Sequence, residues 1–124
     1  MRFEVVVPDS VRLGAPVPIV LRVTNTGDQP LTLYLQGRPL AFDIAVSDRS
    51  GRLVWRRLEG EVLQSILAIR TLEPGGSLEL KAVWTQETNA GGRVPPGDYL
   101  VAGSLPTDRP EPLRTAPRTL RITP

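Results

Sequence analysis

Pro95-Pro96-Gly97-Asp98-Tyr99-Leu100-Val101-Ala102-Gly103-Ser104-Leu105 is the stretch from which the fold is read. Two prolines fix φ and bar a helix, and Gly97 is free to take a positive φ. The residues that follow alternate, with Tyr99, Val101, Gly103 and Leu105 on one face. This is the pattern of a late core strand in a β-sandwich. Tyr99 stands where sandwiches place a corner tyrosine, its ring inward and its hydroxyl tied to a nearby backbone carbonyl.

The same two-residue period recurs towards the amino terminus. Phe3 to Val7 is a short apolar run ended by Pro8, and Asp9 to Gly14 reads as a turn. Ile19, Leu21 and Val23 then alternate with Val20, Arg22 and Thr24, the prolines at 8, 16 and 18 suiting an edge. After the turn Asn25-Thr26-Gly27-Asp28-Gln29-Pro30, Leu31, Leu33 and Leu35 point inward and Thr32, Tyr34 and Gln36 outward. Phe42, Ile44 and Val46 are expected inside, with Asp43 among the outward residues as a solvated or turn-capping carboxylate. Asp48-Arg49-Ser50-Gly51 supplies a hairpin turn into Leu53-Val54-Trp55-Arg56.

Between Glu61 and Arg70 both periods fit, and the expectation is a helical turn leading into a strand. Leu78, Leu80, Ala82 and Trp84 alternate again, Thr88 to Pro96 is a polar loop, and Pro106 to Pro117 is too proline-rich for core. A last strand runs from Thr119 to Thr123. With turn signals every ten residues or so, the expected fold is all-β: one immunoglobulin-like antiparallel β-sandwich domain of about eight strands over residues 1–124, without a disulfide. Trp55 and Trp84 are expected between the sheets.

Composition narrows the chemistry. The 124 residues contain no cysteine and no histidine, which removes disulfides, thiol catalysis, thiolate and imidazole metal ligands and the commonest general base. Fifteen basic residues against thirteen acidic ones give a net charge of +2, dispersed along the chain, with only Arg56 and Arg57 adjacent among the cations. No basic run interleaves with aromatics as a nucleic-acid groove would. Asn25 to Asp28 and Asp48 to Gly51 lack the carboxylate spacing of a calcium loop and read as turns in which Asn or Asp bonds its own backbone. Neither Ser65 nor Ser104 has a histidine to activate it, and the pairs Glu59 with Glu61 and Asp108 with Glu111 flank turns. No catalytic residue, cofactor or metal is expected. No stretch reaches the roughly 18 apolar residues of a membrane span, so a cytoplasmic chain is expected unless a secretion signal has been trimmed.

Three stretches together resemble the BsuPI family of Bacillus-type intracellular proteinase inhibitors. They are Val23-Thr24-Asn25-Thr26-Gly27-Asp28 with Leu31-Thr32-Leu33; Phe42-Asp43-Ile44-Ala45-Val46 with Gly51-Arg52-Leu53-Val54-Trp55-Arg56; and Leu72-Glu73-Pro74-Gly75-Gly76-Ser77 with Trp84 and Pro96-Gly97-Asp98-Tyr99. The resemblance runs from about residue 17 to 105 and implies an immunoglobulin-like fold and inhibition of an intracellular subtilisin-type serine protease. It transfers no reactive-loop residue.

An inhibitor that binds as a substrate does needs a stiff extended loop, and without disulfides the stiffness must come from proline and from the sheet. Two loops qualify. One carries Arg38, Pro39, Leu40 and Ala41, and the other Pro112, Leu113 and Arg114, with Leu40 or Leu113 offered to an apolar pocket. The expected partner is a protein, a subtilisin-type protease by the resemblance, with neither nucleic acid nor membrane involved and the chain a monomer or weak dimer. The alternative is a structural or adhesion-type interaction module, which an exposed apolar strip on a sheet face would favour.

Overall fold

A computed structural model describes residues 1–61 and 66–124, and every regular element among them is a strand. The strands are β1 (Arg2–Val6), β2 (Ser10–Arg12), β3 (Val17–Thr24), β4 (Leu31–Gln36), β5 (Asp43–Asp48), β6 (Leu53–Arg56), β7 (Leu67–Leu72), β8 (Ser77–Trp84), β9 (Gly97–Leu105), β10 (Leu113–Arg114) and β11 (Arg118–Thr123). One sheet has the order β1-β3-β8, a second the order β2-β11-β9-β5-β6 with β10 beside β9, and β4 and β7 form a separate ribbon. All pairings are antiparallel except β2 with β11, which is parallel. The result is an immunoglobulin-like β-sandwich.

The strand on which the fold was read is β9. Tyr99, Val101, Gly103 and Leu105 are all buried, and Gly103 lies against Leu21 of β3 in the opposite sheet. The Tyr99 hydroxyl donates to the carbonyl oxygen of Pro95, so the corner tyrosine is present. The core joins inward residues of both sheets, among them Ile19, Leu21 and Val23 of β3 and Ile44 and Val46 of β5. Trp84 is fully buried, 6.0 Å edge-on from Tyr99, whereas Trp55 is half-buried on the edge strand β6, stacked 6.1 Å from Trp84.

Several expectations change. Among the described residues there are eleven strands where about eight were expected; two that the expectation lacked are β2, within the turn expected at residues 9–14, and β10, within the 106–117 loop. β3 is the middle strand of its sheet and not an edge. Its pairing with β1 begins at Val20, so Pro18 lies where one side of the strand is unpaired, and Pro16 precedes the strand. Asp43 is buried, and its outward place in the alternation is made tolerable by Arg56. The helical turn expected after Glu61 falls largely on residues 62–65, outside the described residues, while the strand expected to follow it is β7.

Candidate functional site

The first candidate loop leaves β4 at Gln36 and enters β5 at Asp43. Gly37 has φ +92°, and a Cβ there would come within 2.8 Å of the Pro39 oxygen and 3.0 Å of the Ala41 nitrogen, so glycine is required on both counts. The Ala41 amide closes the loop by donating to the Gln36 oxygen at 2.8 Å, and the Gly37 amide donates to the Ile66 oxygen at 2.7 Å. The far end is clamped. Arg57 donates to the Phe42 oxygen at 2.7 Å and its guanidinium lies 3.7 Å from the centre of the Phe42 ring. Burial pushes the Arg57 pKa down from its ordinary value, with the Asp43 and Glu61 carboxylates acting in the opposite direction. Asp43 Oδ2 accepts from Arg56 at 2.6 and 3.0 Å while Oδ1 accepts the amides of Ile44 and Leu58. Arg38 and Pro39 are exposed at the tip, Leu40 is half-buried against the core, and Ala41 is buried.

The second loop leaves β9 after Leu105. Thr107 bridges to Leu35, its oxygen accepts from Gln36 Nε2 at 2.7 Å, and the Asp108 amide donates to the Tyr34 oxygen at 3.1 Å. The loop therefore lies along the outer side of β4 before returning as β10, where Leu113 pairs with Leu105 and Arg114 with Ser104. Thr115 holds the return, with its Oγ1 accepting the Gly103 amide at 2.9 Å. Residues 108–111 are exposed, Pro112 is half-buried, Leu113 packs on the core and Arg114 is exposed. The fold thus brings both loops to β4. It turns Leu40 and Leu113 towards the interior and leaves Arg38, Pro39 and Arg114 as the outward members of the expected set.

Between the loops lies a surface that the sequence did not single out. In the β4–β7 ribbon, Tyr34 pairs with Ile69 and Gln36 with Leu67, so these side chains share the outward face. Tyr34 is 45%, Leu67 55% and Ile69 53% exposed, and Ile66 adjoins them. A groove of about 370 Å³ is lined by Gly37 to Leu40 on one side and by Leu67 to Arg70 on the other. The signal was present in part, since Tyr34 was expected outward. Leu67 and Ile69 fell in the stretch where both periods fit.

The oxygen-rich turns behave as turns. Asn25 Oδ1 accepts the Gly27 amide, while its amide nitrogen donates to the oxygens of Gln29 and Leu72, joining the β3–β4 turn to the end of β7. Asp48 Oδ1 accepts from the Ser50 hydroxyl and from the amides of Ser50 and Arg52, and the Ser50 contact above all holds its carboxyl below the usual range. A cleft of about 670 Å³ includes Asp48 and Glu59 with Arg52 and Arg93 on its walls. A carboxyl held ionised in this way is the reverse of a general acid. Among the described residues no group of three His, Cys, Asp or Glu is placed to hold a metal, and no helix is long and apolar enough to cross a membrane.

A family model described as BsuPI, intracellular proteinase inhibitor, matches residues 5–109. No curated protein matches the chain. Among solved structures, latent PorU from Porphyromonas gingivalis is similar at 15% identity and a TM-score of 0.54, over 97% of this chain and 9% of that one. The alkylpurine DNA glycosylase AlkC from Pseudomonas fluorescens, bound to DNA with an abasic site analog, is similar at 13% identity and a TM-score of 0.51, over 98% of this chain and 29% of that one. The chain therefore spans less than a third of either protein, and at such identities the likeness is one of fold alone.

Proposed function

This chain belongs to the BsuPI family of intracellular proteinase inhibitors, and on that premise we propose that it acts without catalysis, by binding a subtilisin-type serine protease in the cytoplasm. The family match over residues 5–109 carries the reading. The two candidate loops support it, because each is tied to the sandwich at both ends and so loses little ordering entropy on binding. Arg38, Pro39, Leu40 and Ala41, with Pro112, Leu113 and Arg114, are the proposed contact segments. Arg38, Pro39 and Arg114 reach the partner, and the half-buried leucines hold the loops in shape.

The test is titration of a subtilisin-type protease with the purified protein and with Arg38→Glu and Arg114→Glu variants, both changes being at exposed positions. Stoichiometric inhibition weakened about tenfold or more in one variant is expected, the size of a lost interfacial charge contact. Absence of inhibition by the folded wild type overturns the reading.

A second reading is favoured by one observation, the apolar strip of Tyr34, Leu67 and Ile69 on a sheet face. It makes the chain a protein-interaction module without inhibitory activity. The same titration separates the two.

A further inference from the structure

We propose that the open edge of β7 is a strand-addition site, taking an extended segment of a partner protein in which apolar and acidic residues alternate. The proposal rests on the reading of this chain as a protein-binding inhibitor and adds where and how the partner is held.

An edge strand offers unpaired amide and carbonyl groups, and proteins usually blunt such edges. Several of the other edges are blunted here. Asn89 covers β6 by accepting from the Arg56 amide at 2.8 Å and donating to the Arg56 oxygen at 2.9 Å. The outer side of β4 is occupied by Thr107 and Asp108. β8 carries Glu79 and Lys81 among its outward residues, and β1 is short and followed by Pro8. β7, with the sequence Leu67-Ala68-Ile69-Arg70-Thr71-Leu72, pairs with β4 on one side and with no strand on the other among the described residues. It contains neither lysine nor proline.

The groove supports the same use. Four consecutive residues of β7, Leu67 to Arg70, line it together with Gly37 to Leu40, so it lies where β7 meets the loop that leaves β4. An added strand alternates its side chains between the two faces of the ribbon. On the outward face they extend the apolar row of Tyr34, Ile69 and Leu67. On the other face they meet Ala68 and Arg70. Arg70 donates only to the Ile69 oxygen among the described residues, at 3.3 Å, and Arg38, which lines the same groove, has no ion-pair partner among them. Two uncompensated guanidiniums select carboxylates on that face.

The test uses a fluorescein-labelled peptide, Thr-Val-Glu-Val-Glu-Val-Thr, and a counterpart with lysine for glutamate, each titrated with the full chain and followed by anisotropy. The acidic peptide is expected to bind at least tenfold more tightly. Arg70→Glu is expected to reverse the preference and Ile69→Lys to weaken binding of the acidic peptide. Arg118→Glu, at an exposed position on β11, changes the net charge equally and is expected to keep the preference. Because the reversal is a gain of binding, a misfolded variant cannot imitate it. Equal binding of the two peptides, no binding of either, or an unchanged preference in Arg70→Glu overturns the proposal. The protease titration is read separately. If wild type inhibits and Ile69→Lys inhibits equally well, the edge site falls and the inhibitor reading stands. If the peptides behave as expected and no protease is inhibited, the edge site stands and the inhibitor reading falls.

Discussion

Gly103 marks a close approach between the sheets. A Cβ built there collides with both terminal carbons of Leu21, itself fully buried in a close-packed core. Gly103→Ala is therefore expected to cost about 1–3 kcal/mol by overpacking, measured by urea unfolding. Combined with Leu21→Ala it is expected to cost less than the two changes added, since the second makes room for the first. The inward place of Gly103 was legible from the alternation, but the need for glycine was not, because Leu21 lies in the other sheet, 82 positions away along the chain. Asp43 teaches the same lesson more sharply. Period-two reading assigns it to water, yet it is buried, since the β5–β6 hairpin brings Arg56 opposite Ala45 and within reach of its carboxylate. Burial of a charge is settled by its partner, and the partner is invisible to local pattern.

Turns and strands were the readable elements. The Asp48 turn was recognised from its composition, and the hydrogen bonds explain why it works. They also fix its pH dependence. The folded carboxyl titrates below its ordinary value, so its contribution is complete above that value and is lost as pH falls through the lower, folded one. Asp48→Asn is expected to lower the urea midpoint at pH 7, with the gap to wild type narrowing below about pH 4. Strand partnership was less readable than strand existence. β3 and β4 follow one another across a turn and suggest a hairpin, but β4 crosses to β7 instead, which creates both the ribbon and the exposed strip. The short strands β2 and β10 went unseen because two or three residues cannot display a period, and Leu113 was consequently assigned to a loop.

At the scale of the whole molecule, fold and family were legible because turn residues and alternation repeat along most of the chain. The proposed contact surface was only half legible. Sequence found the two loops, and the fold explains why they belong together, each leaning on β4. The parallel pair also has a mechanical consequence. Ser10–Arg12 of β2 lies beside Arg121–Thr123 of β11, and the flanking bonds Arg121 to Asp9 and Leu13 to Thr123 extend the seam. Force applied before β2 and after β11 pulls parallel strands in opposite directions, so every bond of the seam is loaded at once. Force applied before β5 and after β6 opens a hairpin from its free end, one rung at a time. Since the chain has no cysteine, single thiols can be introduced as handles without competition. In a single-molecule pulling experiment, Asp9→Cys with Pro124→Cys is expected to show a higher rupture force than Arg38→Cys with Glu59→Cys. The short parallel seam, a minor element by area, makes the sandwich a latch that resists sliding far better than it resists peeling.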